Sequence, residues 1–215
     1  MSQKLRILDL YAGGGGASKG YYDGFTAMGF KPFIVGVDIV NQPRYPFNFH
    51  QADAIEFLNS YGTDYDFISA SPPCQSHTSL KHITGKQYQC FISRTRDALK
   101  ALQVPYVIEN VVGSPLINPV VLCGLMFGLP MHSHRLFECS HRVAVLKHPK
   151  TTLKAQELGR PPEEGKLLAR PAGRFSGVDI YREVMGVHWM NQGEIAQCIP
   201  PVFTSYIAQQ YSRLF

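Results

Sequence analysis

Residues 5–16 of the chain read LRILDLYAGGGG, an apolar run of strand character that leads into four consecutive glycines. Such a turn allows the backbone to approach a bound cofactor closely and aims the N-terminus of the next helix at its negative group. No Lys-Ser or Lys-Thr pair follows at the spacing of a P-loop, which argues against a nucleotide hydrolase of that class. The stretch therefore predicts a strand-to-helix turn that binds a cofactor, with a tight turn free of ligand as the alternative.

Short apolar runs alternate with helix-like stretches up to residue 110. This is the rhythm of βαβ units, and the strand candidates are apolar throughout because helices would cover both faces of a parallel sheet. Beyond Pro115, two apolar pieces precede a polar, Pro- and Gly-containing stretch at about 140–177, the best candidate for an insertion. The last residues, from Ile199, predict a helix with Pro201 in its first turn.

The composition is that of a globular protein with a sizeable core. Of 215 residues, 45% are hydrophobic and 17% are charged, and the mean hydropathy is -0.10. No run of about 18 apolar residues and no signal-peptide pattern occurs, so we expect a cytoplasmic protein. The five cysteines form no Cys-x-x-Cys pair, which argues against a disulfide framework or a zinc ribbon and leaves a reactive thiol as an option.

The net charge of +5 is concentrated in one part of the chain. Between residues 131 and 175 nine Lys and Arg face four Glu, whereas the rest of the chain balances twelve basic residues (21 − 9) against twelve acidic ones (16 − 4). A localised basic excess is typical of a protein that meets a polyanion, although a solvated basic face has the same composition.

Two acidic residues follow strand-like runs at positions suited to cofactor binding. Asp38 ends the second apolar run, where a carboxylate can accept hydrogen bonds from the ribose of an adenosine-containing cofactor. Both NAD and S-adenosylmethionine fit that position. Asp53 has two interpretations that are compatible with each other: it accepts the adenine amino group, or it caps the helix that begins with AIEFL.

Ser71-Pro72-Pro73-Cys74-Gln75 follows the fourth strand candidate, where doubly wound sheets bind their ligands. A cysteine held there is a candidate nucleophile. Cys90, Cys123 and Cys198 are expected to be inert core residues instead.

Further candidate catalytic residues lie at the end of the next strand candidate and beyond it. Glu109 in VIENV can act as an acid or hydrogen-bond partner for a substrate ring nitrogen, or it is a surface acid at the end of a strand. Arg135 is expected just before a strand, ready for a phosphate or a polarised carbonyl. The sequence around Arg135 also contains four possible metal ligands: His132, His134, Cys139 and His141. Their spacing fits no common zinc framework, so no metal is predicted.

In this order, the motifs resemble those of the DNA (cytosine-5) methyltransferase family. Leu8 to Gly15 looks like the family's cofactor loop, Ser71 to Gln75 like its Pro-Cys motif, Glu109-Asn110-Val111 like its Glu-Asn-Val motif and His134-Arg135 like part of its arginine motif. Residues 197–201 resemble the final motif, with Ile-Pro-Pro where many relatives have Gly-Asn-Ser. The resemblance identifies a small member of phage or bacterial type, in which a restriction–modification setting is one possibility.

The resemblance implies the fold of a Rossmann-like class I S-adenosylmethionine-dependent methyltransferase, a doubly wound, mostly parallel sheet with a small recognition insertion. It divides the chain into a cofactor-binding and catalytic core (1–138), a reduced basic target-recognition segment (139–182) and C-terminal helices that return to the core (183–215). The expected partner is double-stranded DNA. The expected oligomeric state is a monomer, and no association with a membrane is expected.

The reaction implied is transfer of a methyl group from S-adenosyl-L-methionine to C5 of a cytosine flipped out of the duplex. The thiolate of Cys74 adds to C6, Glu109 donates a proton or a hydrogen bond at N3, and Arg135 holds the base or the loop. By resemblance the catalytic residues are Cys74, Glu109, Arg135, Pro73 and Asn110; the cofactor-binding residues are Asp9, Leu10, Tyr11, Ala12, Gly13, Gly14, Gly15, Asp38, Ile39, Asp53, Ala54 and Ser71; and the nucleic-acid-binding residues are His77, Lys81, Lys86, Arg142, Lys147, Arg170 and Arg174.

Three other interpretations stay open. An RNA cytosine-5 methyltransferase would have similar motifs, and the net charge suits either nucleic acid. A catalytically silent DNA-binding relative would not need Cys74 or Glu109. A nicotinamide-dependent oxidoreductase explains the glycine loop and Asp38 but leaves the Pro-Pro-Cys motif without a role.

Overall fold

The computed structural model describes residues 3–73, 91–157, 160 and 163–211. Its strands are β1 (Lys4–Leu10), β2 (Lys31–Asp38), β3 (Asn48–Gln51), β4 (Phe67–Ala70), β5 (Tyr106–Asn110), β6 (Val120–Cys123) and β7 (His134–Cys139). Its α-helices are α1 (Gly16–Ala27), α2 (Ala54–Tyr61), α3 (Phe91–Leu102), α4 (Val178–Met185), α5 (Gln192–Gln197) and α6 (Pro201–Tyr211). Gly62–Asp64 and Gly124–Phe127 form short 3-10 turns.

The described strands form a single sheet in the order β3-β2-β1-β4-β5-β7-β6. Strands β1 to β5 are parallel, and β7 is antiparallel to both of its neighbours, β5 and β6. The chain order reverses between β1 and β4, which makes the carboxyl ends of these strands a topological switch point. The predicted mostly parallel α/β sheet is confirmed.

Helices cover both faces of the sheet. Helices α1 and α6 bury Tyr21, Phe25 and Phe203 against one face, and helices α2 and α3 bury Leu58 and Leu99 against the other. Residues of β1 alternate between the two cores, as the period of two in a strand requires. The doubly wound arrangement expected from continuous apolar strands is therefore present.

Residues 140–177, here called the connecting segment, hold no helix or strand among their described residues, only isolated bridges such as Ala155 with Leu167. Its end packs with α4 and α5 in a third apolar cluster that includes Leu168 and Phe175. Helix α4 spans residue 182, where the sequence places a boundary between segments. The three-part division of the chain stays a prediction.

One local prediction is corrected: Arg135 is the second residue of β7 and does not precede the strand. The strand begins earlier because Leu122 and Cys123 of β6 pair with Arg135 and His134, a long-range contact. Among the helices in the described ranges, none combines the length and the apolar character needed to cross a bilayer.

Candidate active site

A cavity of about 800 Å³ opens at the edge of the sheet where β1, β2, β4 and β5 end. That volume lies in the range of small-molecule sites. Because β7 is antiparallel, its first residues reach the same edge. Loops after β1 and β2, the Pro-Pro turn after β4, the tip of β5 and the region around α5 complete the wall. The cavity thus occupies the place where doubly wound sheets bind ligands.

The glycine loop forms one side of the cavity. Tyr11, Gly13 and Gly15 all have positive φ, at 57°, 48° and 84°. The amide of Ala12 donates to the Val37 carbonyl of β2 at 3.1 Å, which holds the loop against the neighbouring strand. A side chain at Gly13 would meet open space, so the backbone there is exposed to whatever the cavity holds.

Asp38, the last residue of β2, connects the glycine loop to the loop that follows β2. Its Oδ2 accepts the amide of Gly13 at 3.0 Å, and its Oδ1 accepts the amide of Val40 at 2.9 Å. A carboxylate has about four lone-pair sites, so capacity remains for ligand hydroxyl groups. Asp38 lies in the cavity wall, and its predicted contact with a ribose stays a prediction.

Asp53 caps helix α2. Its Oδ1 accepts the amides of Ile55 at 2.9 Å and Glu56 at 3.0 Å, so the capping interpretation describes its contacts. Asp53 is not part of the cavity wall, and its predicted contact with adenine stays a prediction.

The other predicted cofactor residues divide by their position. The cavity wall contains Asp9, Tyr11, Ala12, Gly13, Gly14, Asp38, Ile39 and Ser71. Four others are not part of the wall: Leu10, Gly15, Asp53 and Ala54. The side chains of Leu10 and Ala54 belong to the apolar core between the sheet and α2.

Asp9 is a buried acid at the back of the cavity. Its Oδ2 accepts a hydrogen bond from the Ser18 hydroxyl at 2.5 Å. Burial raises its pKa to about 7, with the Ser18 hydrogen bond acting in the opposite direction. Asp9 therefore gains negative charge only near neutral pH.

Glu109 and Arg135 form a buried pair in the wall. Oε1 of Glu109 lies 3.4 Å from Nε of Arg135, and the side chains are 8% and 6% exposed. Burial raises the pKa of Glu109, and the positive charges of Arg135 and Arg170 act against this rise. The carboxyl group thus holds a proton more firmly than a free glutamate does, as a general acid requires.

Arg170 lies where sequence reasoning did not expect it. The sequence predicts that it contacts nucleic acid from the basic segment. In the structure it is half-buried in the cavity wall, and its positive charge opposes the rise in the pKa of Glu109. Its approach depends on the path of the connecting segment, for which the sequence offers no local signal. By contrast, the predicted nucleic-acid-binding residues Arg142, Lys147 and Arg174 are exposed.

Asn110 fixes the turn that follows β4. Its Nδ2 donates to the Pro72 carbonyl at 2.9 Å, and its Oδ1 accepts the amide of Val111 at 3.0 Å. Pro72 and Pro73 both lie in the cavity wall, on the same side as Glu109. The predicted residues Cys74, His77, Lys81 and Lys86, together with Cys90, lie outside the described residues.

The C-terminal region contacts the loops after β1 and β2 through residues that sequence reasoning missed. The indole of Trp189 donates to the Gly14 carbonyl at 2.8 Å, and Arg44 bonds both carboxylate oxygens of Glu194 at 2.9 and 3.0 Å. The single tryptophan of the chain was a signal that composition offered. Residues 197–199 of the final motif also lie in the wall, beside the glycine loop.

Two cysteines are held as thiols. Burial raises the pKa of Cys198 to about 12, and its Sγ donates to the Ile199 carbonyl at 3.2 Å. Burial likewise raises the pKa of Cys139 to about 12. Neither group has the lowered pKa of a reactive cysteine.

His141 packs against the rings of Phe67 and Tyr211, away from the pair His132 and His134.

No protein-family model matches the chain, and no curated protein matches it in sequence. Two solved structures are similar to it over their whole length. The Entamoeba histolytica methyltransferase EhMeth aligns with a TM-score of 0.67 at 11% identity, covering 100% of both chains. The S. pombe Dnmt2 methyltransferase aligns with a TM-score of 0.63 at 13% identity, covering 99% of each chain. The protein therefore has the Rossmann-like fold of these methyltransferases, which confirms the predicted fold class.

Proposed function

We propose that the protein is a cytosine-5 methyltransferase that uses S-adenosylmethionine and acts on DNA. The observation that carries the proposal is the buried Glu109–Arg135 pair, which shares one cavity with the glycine loop and with Pro72-Pro73, the two residues before Cys74. A proton donor, a fixed cation and a cofactor turn in a single cavity are the parts that this reaction needs. The similarity to methyltransferase structures supports the fold on which these parts are arranged.

Glu109 is proposed to bind N3 of the cytosine and to share its proton with it. Withdrawal of electrons at N3 makes C6 electrophilic. A carboxyl with a raised pKa is suited to this role because it is protonated over a wider pH range. Arg135, 3.4 Å away, keeps the carboxyl oriented and can contact the base carbonyl.

Cys74 is proposed as the nucleophile. Its thiolate adds to C6, which places electron density on C5. C5 takes the methyl group as the S–CH3 bond of the sulfonium breaks and leaves a neutral thioether. Loss of the C5 proton to solvent and elimination of the thiolate then restore the aromatic ring. Support comes from the residues that precede Cys74, because Asn110 holds the Pro72 carbonyl at 2.9 Å beside Glu109. Two prolines further restrict the backbone that leads to the thiol.

The described residues fit S-adenosylmethionine. Gly13 presents open backbone to the cavity, and the Asp38 carboxylate is placed to accept ribose hydroxyl groups. When bound, this cofactor supplies an electrophilic methyl group. Trp189 and the Arg44–Glu194 pair connect the C-terminal region to the two loops that would hold it.

Duplex DNA is proposed as the substrate on the basis of the connecting segment. This one stretch of chain has exposed basic residues that can bind phosphates and a half-buried arginine that reaches the cavity. Arg142, Lys147 and Arg174 are available to phosphates, and Arg170 reaches the cavity. A target base inside a duplex must leave the base stack to enter such a cavity.

The test is nucleoside mass spectrometry after incubation of the protein and S-adenosylmethionine with mixed-sequence duplex DNA or transfer RNA. We expect 5-methylcytosine in DNA from the native protein and from Cys139→Ala, a cysteine outside the cavity wall, and none from Cys74→Ala. Product in RNA alone would move the substrate to RNA. Absence of product on both nucleic acids, from protein that binds the cofactor, would contradict the proposal.

A further inference from the structure

Four side chains converge at the outer end of the sheet, outside the candidate active site. Their possible ligand atoms, one sulfur and three imidazole nitrogens, all lie within 4.8 Å of one another, in a group made of Cys123, His132, His134 and His148. Four such atoms bound to a tetrahedral Zn²⁺ ion at about 2.0–2.3 Å would lie somewhat closer together than this, so a small contraction brings them to bonding distance.

The fold explains how the group forms. Cys123 is the last residue of β6 and pairs in register with His134 of β7, so their side chains share one face of the two strands. His132 precedes His134 by two residues, and their ring centroids are 4.6 Å apart. His148 arrives from the connecting segment, and its ring stacks on that of His134 at 5.3 Å.

His148 is oriented as a metal ligand would be. Its Nδ1 lies 2.8 Å from the Pro149 carbonyl, and donation of that N–H leaves the lone pair on Nε2. That Nε2 is buried without a hydrogen-bond partner among the described residues. Metal-bound histidines usually donate their second nitrogen to a carbonyl or a carboxylate in this way.

The ligand atoms are of the kinds that zinc binds, one sulfur and three imidazole nitrogens. Cys123 is buried, and His134 and His148 are partly buried, so most of the group is shielded from bulk water. A thiolate and three neutral imidazoles match the ligand preference of zinc.

We propose a structural zinc site in this protein, with the four ligands Cys123, His132, His134 and His148. The four protein ligands fill a tetrahedral shell, which leaves no position for substrate. The ion would fasten the connecting segment to β6, the edge strand of the sheet, and to β7. Since the segment has no helix or strand in its described residues, such a crosslink would supply order that backbone pairing does not.

The site differs from the one considered from sequence. Cys139 and His141, which follow His134 closely, are not members, whereas Cys123 and His148 are. Successive residues of a strand point to opposite faces, so His134 points away from the face that carries Arg135 and the candidate active site. The proposed zinc site therefore shares no side chain with the candidate active site.

The first experiment measures zinc by mass spectrometry in the full chain, purified without a polyhistidine tag and without chelator. About one zinc ion per chain is expected. In the His132→Ala/His148→Ala variant the content should fall at least about tenfold, as loss of ligands implies. His188→Ala, an exposed histidine outside the group, should keep the metal. Zinc missing from the native protein even after incubation with Zn²⁺, or retained by the double variant, would overturn the proposal.

Cobalt provides a second readout, and its first measurement uses the native protein alone. Native protein loaded with Co²⁺ should show the intense visible bands of a tetrahedral ion and a thiolate-to-cobalt charge-transfer band. Cys123→Ser should lose the charge-transfer band, whereas Cys139→Ser should retain it. An octahedral spectrum, or a charge-transfer band that survives Cys123→Ser, would refute the assignment of the ligands.

Discussion

The side-chain amide of Asn110 holds the main-chain carbonyl of Pro72 at 2.9 Å, and so joins the tip of β5 to the turn after β4. Asn110 is 3% exposed, and its Oδ1 is engaged by the Val111 amide, which fixes the orientation of the side chain. A buried hydrogen bond of this kind sets the backbone two residues before Cys74 relative to Glu109. We therefore consider Asn110 a positioning residue of the site.

Replacement of Asn110 should slow catalysis more than it weakens binding. In Asn110→Ala the Pro72 carbonyl loses its donor, and displacement of the turn by about 1 Å can cost on the order of 100-fold in rate. We expect the single-turnover rate of methylation to fall about 10- to 100-fold while the KM for DNA changes little. Asn59→Ala, on the exposed face of α2, is the matched control and should match the native rate. A native rate in Asn110→Ala would disprove the positioning role.

Asp9 should make stability depend on pH. Its pKa rises from 3.8 to about 7 on folding, so between these values the folded state holds more protons than the unfolded state. The free energy of unfolding must then fall as the pH rises from about 4 to about 7, by about 1.4 kcal/mol for each unit of pKa difference.

Urea unfolding of the native protein and of Asp9→Asn at about pH 5 and about pH 8 measures this effect, because Asp9→Asn removes the titrating group. The variant should gain stability relative to the native protein at the higher pH. Ser18→Ala, which removes the hydrogen bond that lowers the pKa of Asp9, should extend the dependence to higher pH. Parallel stability curves for native protein and Asp9→Asn would show that Asp9 does not titrate as stated.

Arg96 and Glu138 form a buried ion pair that connects α3 to β7. Nε and Nη2 of Arg96 lie 2.7 and 2.8 Å from the two carboxylate oxygens. Arg96→Met should cost about 3–5 kcal/mol in the free energy of unfolding, because it leaves a buried charge uncompensated. Arg96→Met/Glu138→Gln should recover part of that loss, since no charge remains. Equilibrium unfolding in urea checks both.

Arg94→Met provides the control for this pair, because Arg94 lies on the exposed side of the same helix. It should change stability by no more than about 0.5 kcal/mol. Equal effects of Arg94→Met and Arg96→Met would mean that the buried pair does not contribute as described.

Gly20 sets the close approach of α1 and α6. A Cβ at this position would lie 2.0 Å from both the Pro201 carbonyl oxygen and the Thr204 hydroxyl oxygen. Thermal and urea unfolding should show Gly20→Ala to be less stable by about 1–3 kcal/mol, because the backbone of α6 must shift. Gly193→Ala in α5 meets its nearest atom only at 3.4 Å and should be neutral or slightly stabilising. Equal free energies of unfolding for Gly20→Ala and Gly193→Ala would contradict the close approach of α1 and α6 at Gly20.

Much of the fold was predictable because its signals are local. Alternating apolar runs predicted β1, β2, β4 and β5, and glycines predicted the turn into α1, since a strand or helix is encoded by residues that neighbour one another in the chain. The capping role of Asp53 was recognisable for the same reason, because its partners are two and three residues away. The motif around Glu109 and Asn110 was placed correctly at a strand tip.

The tertiary structure alone brought together residues that are distant in sequence. Arg170 lines the same cavity as Glu109, Arg96 pairs with Glu138, and His148 lies near Cys123, each across a segment whose path no local pattern specifies. Such contacts depend on how loops close and which sheet edge a strand joins, so their energies arise only after packing. The sequence determined the elements and the chemistry at their ends, and the packing of those elements decided which charged and metal-binding groups meet.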